Sequence, residues 1–208
     1  MVQTIAADTI TLYDLKQHFQ LQQTDDPSFF PEWQGTLPAL TEAEQQRLAR
    51  VQEIVANLEQ RSVLENTVKL AVMAPLLDLA GLFLPPFYVS TEDSVEIEAR
   101  DRATVVRGRI DILVLKDRLW VLVIESKRAE FSLKVGIPQI LSYMLATPQR
   151  HLPLYGLVTN GTDFIFLKLL GQEHPLYARS QQFVLGQAHD LAQVLQILKR
   201  LAAIVGEE

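Results

Sequence analysis

The sequence contains no cysteine, which excludes disulfide bonds and every metal site built on thiolates. It also lacks an uninterrupted apolar run of membrane-spanning length, because the most apolar stretch, residues 70–89, is broken by Asp78, Gly81 and three prolines. The N-terminus has neither the basic segment nor the continuous apolar segment of a secretory signal. We therefore expect a cytoplasmic protein that does not associate with a membrane.

Charge is distributed unevenly along the chain. The 208 residues carry a net charge of −6, yet residues 100–134 hold nine Lys or Arg side chains against five acidic ones. A basic middle in an acidic protein suits a local contact with a polyanion, but solvated strand edges also carry such charges. The length and the 48% apolar content predict one domain with a sizeable core.

Three capping-box patterns predict helix starts in the first third of the chain, at Thr11–Asp14, Thr41–Glu44 and Ser62–Glu65. In the third helix we expect an apolar stripe that begins at Leu64, and a kink at Pro75. Residues 20–40 contain three prolines and several aromatic side chains, and they predict a long loop. The aromatic side chains of this loop either cover the core or form an exposed surface for a partner. These aromatic residues are Phe29, Phe30 and Trp33.

The middle and the end of the chain predict strands and two further helices. Strands are expected at residues 94–100, 108–115 and 119–127, the last two as a hairpin, followed by a helix over 136–146 with Pro138 in its first turn. Asn160-Gly161 predicts a type I′ turn in a hairpin over 154–170, and residues 190–205 predict a final helix. This order predicts an α/β fold, with a mixed central sheet flanked by helices on both faces.

The stretch "LWVLVIESKR", residues 119–128, ends a buried strand in charged residues. Because side chains two apart share a strand face, Glu125 and Lys127 point the same way. On the partner strand we expect Ile110, Ile112 and Val114 to share one face, with Asp111 on the other. If the hairpin brings Asp111 to Glu125, the two carboxylates need a cation, and Mg²⁺ suits such oxygen ligands. The lysine then stabilises phosphate or assists the attacking water.

Asp111 followed by Glu125-Ser126-Lys127 resembles the PD-(D/E)XK signature of the restriction-endonuclease-like superfamily. Gln139 and Tyr143 resemble the Q-x-x-x-Y motif that follows the nuclease core in RecB-type exonucleases and in type I restriction R subunits, and residues 155–169 resemble the strand pair that follows it. The resemblance is to the N-terminal nuclease domain of type I R subunits and covers roughly residues 62–170. Ile110 replaces the proline of the signature, and no G-x-x-x-x-G-K-[ST] motor motif is present, so we do not expect a whole R subunit.

The resemblance implies a restriction-endonuclease-like fold and a set of functional residues. It makes Asp111 and Glu125 metal ligands, with Glu65 on the preceding helix as a third, and Lys127 the catalytic lysine. Gln139 and Tyr143 would support the site or contact nucleic acid, and the carbonyl of Ser126 is a further candidate ligand. The implied cofactor is Mg²⁺, with Mn²⁺ as a substitute, and the implied substrate is DNA. Candidate phosphate contacts are Arg107, Arg109, Arg128 and Lys134.

Each residue also has a purely structural interpretation. Glu125 and Lys127 could form a strand-end ion pair, and Asp111 could pair with Arg107 or Arg109. Glu65 could cap the helix at Ser62. Gln139 and Tyr143 could be polar tips of a packed helix, and the four basic residues could be solvated strand charges. Glu96 and Glu98 share a strand face, from which one could join the site or both could stay exposed.

Our leading hypothesis is a Mg²⁺-dependent nuclease-like domain that hydrolyses DNA phosphodiester bonds. The second is a non-cleaving nucleic-acid-binding or regulatory protein on the same fold, and the third is an interaction subunit that uses the aromatic loop. We expect residues 1–61 to form an extension packed on a nuclease-like domain of residues 62–208. The resemblance allows a homodimer and a larger restriction-type complex.

Overall fold

The computed structural model describes residues 3–58, 60, 64–98, 104–117, 119–127, 132–171, 173–187 and 189–207. Its strands are β1 (Gln3–Ala6), β2 (Gln22–Gln23), β3 (Phe87–Glu98), β4 (Thr104–Lys116), β5 (Leu119–Ser126), β6 (Leu154–Thr159), β7 (Asp163–Leu170) and β8 (Leu176–Val184). Its α-helices are α1 (Leu12–Phe19), α2 (Glu42–Leu58), α3 (Glu65–Val68), α4 (Ala74–Leu79), α5 (Leu133–Leu145) and α6 (Asp190–Glu207). A π-helical turn, Lys69–Met73, joins α3 to α4.

The eight strands form one mixed sheet in the order β1-β4-β5-β6-β7-β8-β2, and β3 pairs with β4. Because β3 covers one edge of β4 along most of its length, β1 and β5 must share the other edge. On that edge β1 pairs as far as Arg107, and β5 pairs from Ile112 onward. A short stretch of the β4 edge, residues 108–111, therefore lies between two neighbouring strands.

Helices cover both faces of the sheet, which confirms the predicted α/β architecture. One core layer packs α2, α4 and α6 against the sheet, and the other packs α1 and α5 against the opposite face. Both layers include residues from the first sixty positions, such as Leu48 and Val51 in one and Leu15 and Phe19 in the other. Within the described ranges, no helix combines the length and the apolar character needed to span a bilayer.

Strict alternation of side chains breaks in β4 at Asp111. Ile112 and Val114 lie in one core layer, whereas Ile110 lies in the other, so the expected single row of these three residues is wrong. Opposite this point β3 is irregular as well, because Glu92 has a left-handed backbone with φ of 61°. The sheet is therefore distorted on both strands where Asp111 stands.

The capping boxes at Thr11 and Thr41 are present as predicted, with reciprocal bonds to Asp14 and Glu44. The third helix differs from its prediction. It begins at Glu65 with Leu64 as its N-cap, and Leu64 is 55% exposed, so Leu64 is not part of an apolar stripe. Ser62 lies outside the described residues. We expected a kink at Pro75, and the structure has a π-helical turn, Lys69–Met73, just before it. This turn widens the helix ahead of Pro75, which has no backbone N–H to donate.

Three details of the C-terminal half also differ from expectation. Helix α5 begins at Leu133 because Ser132 caps it, so Pro138 lies inside the helix. Asn160 is not in the left-handed conformation that a type I′ turn requires, and its Oδ1 instead accepts the N–H groups of Thr162 and Asp163. Strand β8 was not predicted, since its sequence "LYARSQQFV" does not show a simple alternation.

The predicted loop over residues 20–40 is fixed to the sheet by a buried ion pair. Glu32 Oε1 accepts hydrogen bonds from Lys168 Nζ on β7 and from the Tyr155 hydroxyl on β6. The Lys168 ammonium also lies 5.7 Å from the centre of the Phe29 ring. We call Glu32, Lys168 and Tyr155 the loop latch. Phe30 is 2% exposed, and Phe29 and Trp33 pack against the same core, so the aromatic loop covers the chain's own core and does not form a partner surface.

Candidate functional site

The carboxyl end of β5 carries a buried glutamate and a lysine. Glu125 is 3% exposed, and its Oε1 accepts a hydrogen bond of 2.7 Å from Lys127 Nζ. The other oxygen, Oε2, is buried and has no hydrogen-bond partner among the described residues. The strand-end ion pair is therefore formed, yet it leaves half of the buried carboxylate unsatisfied, which is costly unless a further positive group or proton is available.

Asp111 lies across from Glu125, one position beyond the last regular β4–β5 pair, Ile112 and Ile124. Its Oδ2 accepts the backbone N–H of Ser126 at 2.8 Å and the Ser126 hydroxyl at 3.0 Å. The side chain of Asp111 thus takes the place of a backbone ladder bond and fixes the end of β5. These two hydrogen bonds hold the Asp111 side chain next to the end of β5, beside Glu125.

Asp111 pairs with Lys69 and not with the arginines that the sequence suggested. The Lys69 ammonium lies 2.7 Å from Asp111 Oδ1 and 3.1 Å from Glu92 Oε1. Arg107 pairs instead with Glu96, and Arg109 pairs with Glu92. The structural alternative proposed for Asp111 is therefore wrong in its partner. We call Asp111, Glu125, Lys69 and Lys127 the strand-end site.

Two side chains of α5 form a chain of hydrogen bonds that ends at Lys127. The Lys127 ammonium donates to Gln139 Oε1 at 2.5 Å, and Gln139 Nε2 donates to the Tyr143 hydroxyl at 2.8 Å. Gln139 and Tyr143 are 7% and 2% exposed, so their polar groups face the site and not solvent. Gly108 lets Tyr143 approach β4, because a Cβ there would lie 2.6 Å from the Tyr143 ring.

The electrostatics of the site favour added positive charge. The pKa of Glu125 is raised to about 8, chiefly by burial and then by the charge of Asp111; Lys127 opposes this rise, and Glu65 adds a smaller increase. The charge of Glu65 is thus felt at Glu125 from the start of α3. Burial, followed by the charge of Glu125, raises the pKa of Tyr143 to about 12, so the phenol keeps its proton at neutral pH.

Lys69 belongs to the strand-end site and Glu92 pairs with it, but sequence reasoning missed both residues. Lys69 stands four residues after Glu65, a spacing that places two side chains on the same helical face and was available as a signal. Glu92 gave no such signal, because strand periodicity directed attention to Glu96 and Glu98. Its contact with Lys69 depends on the left-handed backbone of Glu92 in β3, and no glycine marks this irregularity in the sequence.

The four candidate phosphate contacts fall in different environments. Arg107 and Arg109 are exposed and paired with carboxylates, as described above. Lys134 is exposed in the first turn of α5 and lines a cavity of about 340 Å³ with Asn160 and Arg179. This cavity lies close to Lys127. The backbone N–H of Lys127 donates to the carbonyl of Thr159, which directly precedes the cavity residue Asn160. Arg128 lies outside the described residues.

The described part of the chain contains no cluster of three or more His, Asp or Glu side chains arranged to hold a metal ion. Glu65 lies at the start of α3, and its charge raises the pKa of Glu125.

Comparison with known proteins covers most of the chain. A search of curated proteins finds no match. Among solved structures, a fragment described as an HsdR subunit of a type I restriction enzyme from Vibrio vulnificus YJ016 is 16% identical, with a TM-score of 0.40, over 70% of this chain. This chain covers 26% of that one.

A family model gives the decisive comparison. The model described as "Type I restriction enzyme R protein N terminus" matches residues 12–174, which is most of the chain. The match begins well before Ser62, where the sequence resemblance started, and so includes α1, α2 and the aromatic loop. It ends before α6. The chain therefore belongs to the family of N-terminal regions of type I restriction enzyme R proteins.

Proposed function

We propose that this protein is a Mg²⁺-dependent nuclease-like domain that hydrolyses DNA phosphodiester bonds at the strand-end site. The observation that carries the proposal is the unsatisfied Oε2 of Glu125, buried beside Asp111 in a site whose charges favour a cation. The membership of the chain in a restriction-enzyme family supports DNA as the substrate and a larger restriction complex as the setting.

The donor set fits a hard divalent cation. Mg²⁺ prefers oxygen ligands and is commonly held by one or two carboxylates together with substrate phosphate and water. Asp111 and Glu125 would supply these carboxylates, and Mn²⁺ would be accepted by the same oxygens. When bound, the cation would supply positive charge that polarises a phosphodiester and favours hydrolysis.

The side chains around this position can then be assigned roles. Lys127 holds its ammonium beside Glu125, where it would stabilise negative charge on the phosphate. Gln139 and Tyr143 are positioning residues, because they are buried and hold Lys127 through a chain of two hydrogen bonds. Ser126 fixes the Asp111 carboxylate by two hydrogen bonds.

The DNA strand would approach over the cavity beside α5. Lys134 and Arg179 are exposed there, near Lys127, and could each contact a phosphate. Arg107 and Arg109 would have to leave surface ion pairs to do the same, which costs little because exposed pairs contribute only about 0–1 kcal/mol. We expect Lys134 and Arg179 to contribute more to DNA affinity than the two arginines of β4.

The test is cleavage of plasmid and linear DNA with Mg²⁺, with Mn²⁺ and with a chelator. We expect wild type to cleave with either metal, and Asp111→Asn and Lys127→Ala to lose at least about 100-fold in rate. Asp78→Asn and Lys16→Ala change an exposed carboxylate and an exposed lysine elsewhere, so both should keep wild-type rates. Equal rates in all five proteins would contradict the assignment.

A non-cleaving DNA-binding protein on the same fold is the second candidate. One observation favours it: each strand carboxylate already holds a lysine, Asp111 with Lys69 and Glu125 with Lys127. Each strand carboxylate therefore has a positively charged partner without a metal ion. Calorimetry with duplex DNA separates the two candidates, since DNA binding without any turnover in Mg²⁺ or Mn²⁺ would establish the second.

A further inference from the structure

Lys69 occupies an unusual position for a lysine. It is the first residue of the π-helical turn between α3 and α4, and its side chain is only 15% exposed. π-helical turns are rare and often occur at functional sites. Here the Lys69 ammonium reaches the sheet and contacts two carboxylates on adjacent strands, Asp111 on β4 and Glu92 on β3.

The two carboxylates keep Lys69 charged despite its burial. The ammonium donates hydrogen bonds to both carboxylates, and these contacts offset the cost of burying its charge. The ammonium is therefore a fixed positive charge inside the site. It neutralises Asp111 in the protein without a metal ion, where Asp111 and Glu125 would otherwise repel each other.

This contact also uses the oxygen of Asp111 that is not engaged by Ser126. Oδ2 accepts two hydrogen bonds from Ser126, and Oδ1 accepts one from Lys69. A divalent cation at Asp111 would therefore meet the Lys69 ammonium at the same oxygen, and two positive charges at such a distance repel strongly in a partly buried site.

On the basis of the proposed function, we propose that Lys69 is an internal counter-ion that competes with the divalent cation for Asp111. It keeps the metal-free site folded and weakens cation binding. Glu92 makes the exchange feasible, because Lys69 already contacts it at 3.1 Å and can stay paired there when it leaves Asp111. Lys69 is thus a positioning residue that sets the cation concentration at which the site is loaded.

The first experiment measures Mg²⁺ binding to the DNA-free protein by calorimetry, for wild type and Lys69→Met. We expect the substitution to tighten Mg²⁺ binding by roughly 5- to 150-fold, the usual range for two coupled sites. It should also lower the melting temperature without Mg²⁺ and increase the rise in melting temperature when Mg²⁺ is added. Unchanged or weaker Mg²⁺ binding in Lys69→Met would overturn the inference.

Lys168→Met is the matched control. Lys168 is also a buried lysine paired with a glutamate, with 12% of its side chain exposed, but it belongs to the loop latch. We expect this variant to lose stability as well, with Mg²⁺ affinity equal to that of wild type. An equal change of Mg²⁺ affinity in both variants would assign the effect to general destabilisation and reject the role of Lys69.

A second measurement uses wild-type protein and does not depend on how the variants fold. Lysines are labelled with an amine-reactive reagent with and without Mg²⁺, and the labelled sites are quantified by mass spectrometry. Labelling of Lys69 should rise with Mg²⁺ while that of Lys168 stays constant. Mg²⁺ binding with no change at Lys69 rejects this inference alone, whereas no detectable Mg²⁺ binding in wild type and Lys69→Met rejects the proposed function with it.

Discussion

Two glutamates in this protein are buried beside a lysine, and they differ in what else surrounds them. In the loop latch, Glu32 faces Lys168, the Tyr155 hydroxyl and the ring of Phe29. In the strand-end site, Glu125 faces Lys127, but Asp111 and Glu65 add negative charge nearby. Both glutamates have one buried oxygen without a hydrogen-bond partner among the described residues.

The difference lies in charge balance and not in burial. The latch pairs one carboxylate with one ammonium and surrounds them with aromatic rings, an arrangement that joins a loop to a sheet. The strand-end site places Asp111 and Glu125 beside two lysines at the carboxyl end of β5, with Glu92 and the charge of Glu65 nearby. A buried ion pair by itself therefore says little about function, whereas an excess of like charge in a fixed position indicates a site for a cation.

The largest effect is expected from breaking the latch. Lys168→Met leaves Glu32 buried without its cation, and we expect the free energy of unfolding to fall by roughly 3–5 kcal/mol. Chemical denaturation measures this loss. The double substitution Glu32→Gln with Lys168→Met should recover part of it, because no unpaired charge then remains. A Lys168→Met protein as stable as wild type would show that the pair does not hold the loop.

In the strand-end site, loss of the Glu125 carboxylate should increase stability at pH 8, whereas the change in the loop latch decreases it. Because the pKa of Glu125 is raised to about 8, the folded protein keeps a proton that the unfolded chain releases above its ordinary value of 4.5. The free energy of unfolding therefore falls as the pH rises through this window. Glu125→Gln removes the ionisable group, so without metal it should melt several degrees above wild type at pH 8, where each kcal/mol corresponds to roughly 2–4 °C.

The pH series checks the cause of that difference. The advantage of Glu125→Gln should shrink as the pH falls towards 4.5, because the carboxyl group of the unfolded chain then becomes protonated, as it already is in the folded chain. A difference in melting temperature that stays constant from pH 4.5 to pH 8 would contradict the raised pKa of Glu125.

The smallest losses of stability are expected from removing the hydroxyl groups of Tyr155 and Tyr143. Tyr155→Phe removes a hydrogen bond to the Glu32 carboxylate, and we expect it to cost about 1.5–3 kcal/mol of stability. Tyr143→Phe removes a hydrogen bond from the neutral Gln139 amide and should cost only about 0.5–1.5 kcal/mol. If Tyr143 positions Lys127, its substitution should lower the cleavage rate more than that of Tyr155 does. The reverse order would contradict the supporting role of Tyr143.

Much of the candidate site could be anticipated from periodicity. Glu125 and Lys127 share a face because they are two apart in a strand, and Gln139 and Tyr143 share one because they are four apart in a helix. The structure brings all four into one hydrogen-bonded chain. The spacing of Lys69 and Glu65 indicated a shared helical face, but the contact of Lys69 with Asp111 depends on how this helix packs against β4. The contact of Lys69 with Glu92 depends in addition on the left-handed backbone of Glu92 within β3.

The secondary-structure elements also divide into those that local sequence patterns predict and those that depend on distant contacts. Capping boxes and apolar periodicity located α1, α2 and α6 and the strands of the central hairpin, since these signals depend only on neighbouring residues. Strand β8 and the position of β1 beside β4 depend on pairing between distant segments, which local patterns do not encode.

The sequence by itself determined which residues share a face and which chemistry they could perform: two carboxylates and a lysine at the end of a buried strand. Only the tertiary structure decided how their charges are balanced. It placed Lys69 against Asp111 and buried one oxygen of Glu125 without a partner. Charge balance in a buried site depends on distance and desolvation, and these are properties of packed elements and not of sequence spacing.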